Sequence, residues 1–155
     1  MTTLRKPDSI LNLQDLYETD VYTWALRNAE LIRQGRFTEV DLENVAEEIE
    51  SVGRSEYREL ESRLAVLLAH LLKWQYQPER RGRSWEYTIE EQRDQVHKIL
   101  GQNPGLKPKL DEISKYAYRS ARRQAAKETD REKKQFPESC QYSLQDVLND
   151  GFWPA

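Results

Sequence analysis

The stretch Ser55-Glu-Tyr-Arg-Glu-Leu60-Glu-Ser-Arg-Leu64-Ala-Val-Leu67-Leu-Ala-His70-Leu71-Leu-Lys-Trp74-Gln-Tyr76 decides the fold class. Leu60, Leu64, Leu67, Leu71 and Trp74 recur at intervals of 4, 3, 4 and 3. That spacing keeps apolar side chains on one stripe of an α-helix and makes a seam for neighbouring helices. At about 1.5 Å per residue the segment is roughly 33 Å long, the length of a small bundle. Pro78 ends it, because proline lacks the amide hydrogen a continuing helix needs.

The same periodicity extends in both directions. Upstream, a helix is expected from Asp20 to Gln34, capped by Thr19 or Asp20 and stopped by Gly35, with Val21, Trp24, Ala25, Asn28, Leu31 and Ile32 on one face. A shorter helix from Asp41 to Val52 is expected to bury Leu42, Val45, Ala46, Ile49 and Val52, to end at Gly53 and to leave a carboxylate-rich surface. Downstream, Ser84 caps a helix with Trp85, Ile89, Gln92, Val96 and Ile99 in a stripe, and Asn103-Pro104 opens another that runs to Asp130. The apolar stripe of that last helix thins from Leu106, Leu110, Ile113 and Ala117 to Ala121, Gln124 and Glu128, so its second half either projects or packs closely through alanines. Ser143 caps a short helix carrying Leu144, Val147 and Leu148. No strand-like alternation persists, and the expectation is an all-α compact bundle of five to six helices in a single domain over residues 17–154, after a partly ordered extension over residues 1–16.

Composition narrows the class further. The chain has 155 residues, 33% charged against 37% hydrophobic, and its longest apolar run is only Leu64 to Ala69, against the roughly 20 residues a membrane helix needs. The start, Met-Thr-Thr-Leu-Arg-Lys-Pro-Asp, lacks an apolar core for a signal peptide, and Cys140 is the single cysteine, so no internal disulfide is expected. A cytoplasmic protein with no membrane contact is the expectation. Charge is locally uneven: nine acids and two arginines lie between Glu39 and Glu61, whereas Lys115 to Lys134 holds eight bases against three acids. Such faces attract each other within a fold or across a dimer.

Polar residues on or beside the apolar stripes are the candidates for function, because burying them unpaired costs about 1 to 3 kcal/mol each. They are Asn28 and Gln92 within stripes, Glu59, Arg63 and His70 along one edge of the leucine seam, and Glu48 and Glu50 on opposite edges of the acidic helix. A polar network around His70 and Glu48 that fixes helix register is the bland reading. The catalytic alternative uses His70, Arg63 and Glu48. Arg63-x6-His70 meets the spacing of the arginine–histidine pair of helical HEPN-type ribonucleases, although any charged leucine-rich helix generates such a pair by chance. A metal site built from Glu47, Glu48, Glu50 and His70 lacks the Glu-x-x-His repeat of di-metal bundles, and Asp94-x-x-His97 points away from the stripe, so no metal and no cofactor are expected. Arg80, Arg81 and Arg83 lie between Trp74, Tyr76, Trp85 and Tyr87, a pattern that suits nucleic-acid stacking or an acidic protein surface.

Several ordered segments resemble the bacterial domain-of-unknown-function family twenty-nine. They are Tyr17-Glu-Thr-Asp-Val-Tyr-Thr-Trp24, Leu42-Glu-Asn-Val-Ala-Glu-Glu-Ile-Glu50, His70-Leu-Leu-Lys-Trp74 with Pro78, Ser84-Trp85 with Ile89, Gln92 and Arg93, and Phe136-Pro-Glu-Ser-Cys140 with Leu148. The resemblance implies a small all-helical domain and brings no activity, substrate or cofactor with it. Its motif residues coincide with the edge positions Glu47, Glu48, Glu50, His70, Lys73, Trp85, Gln92 and Arg93; with Asn28 and Trp74 they make the candidate binding set. The expected function is a non-catalytic protein-interaction module that self-associates as a homodimer. The alternatives are a hydrolase or nuclease working through His70 and nearby charges, with or without a metal, and a nucleic-acid-binding module.

Overall fold

The computed structural model describes residues 12–155, so most of the expected extension over residues 1–16 lies outside the described residues. Six α-helices follow one another: α1 (Leu13–Thr19), α2 (Val21–Arg33), α3 (Leu42–Tyr76), α4 (Arg83–Gln102), α5 (Leu110–Thr129) and α6 (Leu144–Val147), with 3-10 turns between them and no strand among the described residues. The fold is all-helical. The chain forms two compact units, one ending at Gly53 and the other running from Arg54 to Ala155.

In the first unit, Asn12 caps α1 through a bond from the Gln14 amide, and Asp20 caps α2 through one from the Thr23 amide. Gly35 stops α2 at φ 71°, a left-handed conformation that glycine adopts without a steric penalty. The amide of Gly35 then bonds the Ile32 carbonyl and that of Arg36 the Leu31 carbonyl, which is the Schellman arrangement. Among the described residues, the interior of this unit is made by Leu16, Trp24 and Val40 with the polar Asn28 and Asp41. The expected apolar faces are largely bare: Val21, Ala25, Ile32, Leu42, Ala46, Ile49 and Val52 are all exposed, and of the expected α2 face only Trp24 and Asn28 are buried.

Gly53 does not end a helix. α3 is continuous over 35 residues, and the expected pair of helices split at Gly53 and Ser55 is corrected to one. A glycine stop requires the left-handed turn seen at Gly35, and Gly53 is not in it. Good helix formers follow at once (Arg54 and Glu56), no proline intervenes, and the roughly 1 kcal/mol that glycine costs against alanine is too small to break the run. A Cβ built at Gly53 meets nothing within 4 Å. Gly53→Ala should therefore raise the stability to urea by about 0.5 to 1 kcal/mol; a decrease would mean that a turn forms there.

The second unit carries the main core. Leu60, Leu64, Leu67 and Leu71 of α3 are fully buried with Ile89 and Val96 of α4, Ile113 of α5, and Phe136 and Val147 from the closing segment. Ala117, Ala121 and Ala125 are also fully buried, so the thinning stripe of α5 packs through its alanines rather than projecting. Two boundaries differ from expectation. Gly82, not Ser84, precedes α4, and Pro104–Lys109 forms a 3-10 segment before α5. Pro108 has no amide hydrogen to extend an α-helical ladder through that stretch. Asn103 gives no side-chain cap to the segment that follows and instead closes α4: its Nδ2 donates to Glu56 Oε2 at 3.1 Å and to the Ile99 carbonyl at 3.0 Å. Ser143 caps α6 as expected, accepting from the Asp146 amide at 3.0 Å.

Candidate functional site

In the first unit the polar candidates tie a short loop to α2. Asn28 Nδ2 donates to the Trp24 carbonyl at 2.8 Å, and its Oδ1 accepts from the Asp41 amide at 2.9 Å. Asp41 Oδ2 accepts from Trp24 Nε1 at 2.9 Å and from Asn44 Nδ2 at 2.8 Å. Burial opposes the Asp41 carboxylate, yet the bonds from Asn44 and Trp24 prevail and hold its pKa below the usual value. Glu48 Oε1 accepts from the Tyr17 hydroxyl at 2.6 Å, and that bond raises the phenol's pKa. The Tyr17 ring in turn lies 4.9 Å from that of Trp24. Glu47 and Glu50 are exposed on the same helix.

In the second unit His70 is half-buried, with Nδ1 2.8 Å from the Val66 carbonyl. A carbonyl only accepts, so Nδ1 carries a proton, and in the neutral ring this fixes the tautomer. Burial pulls the pKa below that of an ordinary histidine and the Lys73 charge adds to this, against the Val66 bond and Glu128. The unfolded chain therefore takes up the proton more readily, and the stability His70 contributes is complete above about pH 6.5 and lost as pH falls towards the folded value. The melting temperature should drop between about pH 7.5 and about pH 5.5, and by less in His70→Gln. Equal slopes would remove His70 as the cause.

Arg63 does not join His70: its Nε bonds Glu59 Oε1 at 2.8 Å, an i,i+4 pair along α3. Glu48 and His70 belong to different units and bond different partners. His97 is exposed, and its Nε2 lies 2.9 Å from the Leu148 carbonyl.

Lys73 is buried, with its Nζ 2.6 Å from Glu128 Oε2 and 5.1 Å from the centre of the Trp85 ring. Burial disfavours the Glu128 carboxylate, but the bonds from Lys73 and Gln124 outweigh it and lower its pKa. Arg93, fully buried, holds the closing segment: Nε donates to the Val147 carbonyl at 2.9 Å, Nη1 to Asp150 at 3.4 Å and Nη2 to Phe152 at 2.7 Å. Beside it, Gln92 Oε1 is buried without a hydrogen-bond partner among the described residues. The faces of Trp74 are taken up by protein, with Trp153 at 4.7 Å on one contact and the Arg81 guanidinium at 5.1 Å on another. Arg81 Nε also donates to the Trp74 carbonyl at 2.8 Å.

Among the described residues no three His, Cys, Asp or Glu side chains come together as metal ligands, and no helix is long and apolar enough to cross a membrane. Several participants were not singled out by sequence reasoning. Asp41 reads only as the first residue of the acidic helix, and only the fold makes it the acceptor for the Trp24 indole. Glu128 lies 55 residues from Lys73, a pairing that no local spacing signals.

Fold and interior together define an all-helical protein whose candidate polar side chains are largely bonded to its own backbone and to each other. A family model described as domain of unknown function DUF29 matches residues 16–153, and the chain belongs to that family. No curated protein and no solved structure matches it.

Proposed function

We propose that this chain is a non-catalytic helical interaction module that self-associates through its first unit. The distribution of apolar surface carries this reading. Among the described residues, eight of the ten exposed large hydrophobic side chains (Val21, Tyr22, Leu26, Ile32, Phe37, Leu42, Ile49 and Val52) lie in the unit that ends at Gly53. Among the described residues, the buried apolar side chains of that unit are Leu16, Trp24 and Val40. Isolated exposed apolar residues need no explanation, but rows of them on consecutive helices, rimmed by charge, mark a surface that another molecule covers. The candidate catalytic groups favour the same reading. His70 is bonded to its own helix, Arg63 to Glu59 and Glu48 to Tyr17, so each has a structural partner and none of these bonds links one to another.

Sedimentation equilibrium over a wide concentration range tests this. The expected mass rises above the 18.4 kDa of one chain as concentration increases. A single mass of one chain at every concentration would refute self-association.

A further inference from the structure

We propose that the exposed face of α5 binds single-stranded nucleic acid, with phosphates held by its arginines and a base stacked on Tyr116. From Lys115 to Lys127 the helix carries five cations, Lys115, Arg119, Arg122, Arg123 and Lys127, and no acid. The whole chain has a net charge of -3, so this concentration runs against the overall balance. Like charges three and four residues apart weaken a helix. Among the described residues none of the five is in an ion pair, so the fold does not use them to hold an acid of its own.

Geometry turns the row into a site. Arg119, Arg122, Arg123 and Lys133 line one concavity of about 350 Å³ with a single acid, Glu138. The Phe136 carbonyl accepts from Arg122 Nη2 at 3.1 Å and from its Nε at 3.3 Å, which orients that guanidinium before any ligand arrives. A guanidinium presents paired donors to two oxygens of one phosphate, as an ammonium cannot. Arg119 also lines the neighbouring hollow, of about 440 Å³, with Pro108, Asp111, Glu112, Lys115 and Tyr116. Tyr116 is 50% exposed, and its ring centre is 5.9 Å from the Arg119 guanidinium. A cation for a phosphate and a ring for a base thus stand side by side, the two elements of a surface that binds unpaired strands. Asp111 and Glu112 repel phosphates at the amino-terminal end of the row. The charged backbone therefore runs over Arg119 towards Arg123 and Lys133, and the Tyr116 hollow takes an uncharged base.

The same face suits other polyanions less well. A bilayer surface is entered by a row of apolar side chains, and Tyr116 is the only large apolar side chain exposed on α5 among the described residues. An acidic peptide offers carboxylates to the cations but no flat base to the ring.

Fluorescence anisotropy of the full chain with a labelled oligothymidylate of about ten nucleotides tests the site, a length within the range such surfaces cover. The wild type should bind, and with about four phosphate contacts its affinity should fall roughly 50-fold between about 50 mM and about 200 mM salt. Arg119→Ala with Arg123→Ala should weaken binding by about tenfold or more. Arg80→Ala with Arg83→Ala removes the same charge elsewhere on the surface and should leave binding unchanged. Tyr116→Ala should weaken strand binding by about fivefold or more and leave competition by inorganic tripolyphosphate unchanged. All five positions are exposed, and thermal melts check that each variant folds; Arg119→Gln with Arg123→Gln replaces the alanine pair if that pair does not. Absence of wild-type binding, or equal losses in the two arginine pairs, would overturn the proposal. So would a Tyr116→Ala effect that is absent, or that is equal for strand and tripolyphosphate. Displacement of the strand by polyglutamate or by phosphatidylglycerol vesicles at matched charge would likewise overturn it, by making the face a carboxylate or headgroup surface.

Discussion

Replacing Arg93 by alanine should cost about 3 to 5 kcal/mol of stability, measured by urea denaturation, the scale of truncating a large, fully buried side chain and leaving its hydrogen-bond partners unpaired. Its three hydrogen bonds to the carbonyls of Val147, Asp150 and Phe152 are the means by which α4 holds the closing segment, and the guanidinium lies 5.5 Å from the Trp153 ring. Truncation leaves those carbonyls with no donor in a site that water reaches poorly. Arg93→Lys should recover little, because one ammonium on a flexible stem cannot reproduce a planar fork directed at three separate oxygens. Loss of less than about 1 kcal/mol, or full recovery with lysine, would mean that the segment is anchored by its apolar contacts alone.

The second large effect concerns association rather than folding. Ile49→Ser combined with Val52→Ser removes two exposed apolar side chains, and surface substitutions of this kind change the stability of the isolated chain by about 0.5 kcal/mol or less. In an interface each such side chain contributes roughly 1.5 to 3 kcal/mol once buried, and about 1.4 kcal/mol is a factor of ten in the dissociation constant. The double variant should therefore melt like the wild type and yet associate at least tenfold more weakly, as read by sedimentation. Unchanged association would place the contact elsewhere on the molecule.

The parts of the fold visible in the sequence are those specified by local periodicity and by turn chemistry. Leu60, Leu64, Leu67 and Leu71 are all inside, Gly35 stops α2, and Ser143 caps α6. What periodicity cannot tell is whether an apolar face finds a partner. Leu42, Ile49 and Val52 have the spacing of core residues and lie open, because among the described residues the first unit's buried apolar side chains are only Leu16, Trp24 and Val40. Nor does glycine alone mark a stop: Gly35 takes the left-handed turn, whereas Gly53 continues the helix. His70 and Arg63 find partners four residues away on their own helix, whereas the partners of Lys73 and Arg93 are far along the chain. Glu128 for Lys73 and the Val147 to Phe152 carbonyls for Arg93 are separated from them by more than 50 residues.

The central claim, that the apolar row on α3 is covered by another copy, is tested most directly by thiol reactivity at position 49. With Cys140→Ser removing the native, half-buried thiol, Ile49→Cys introduces a single reporter in the row, and Arg58→Cys, on an exposed turn of the same helix, serves as a control. The reporter at position 49 should react fast in dilute solution and at least tenfold more slowly once the protein is concentrated enough to associate, while the control stays unchanged. Reactivity at position 49 that is fast at every concentration, or slow at every concentration, would contradict the account.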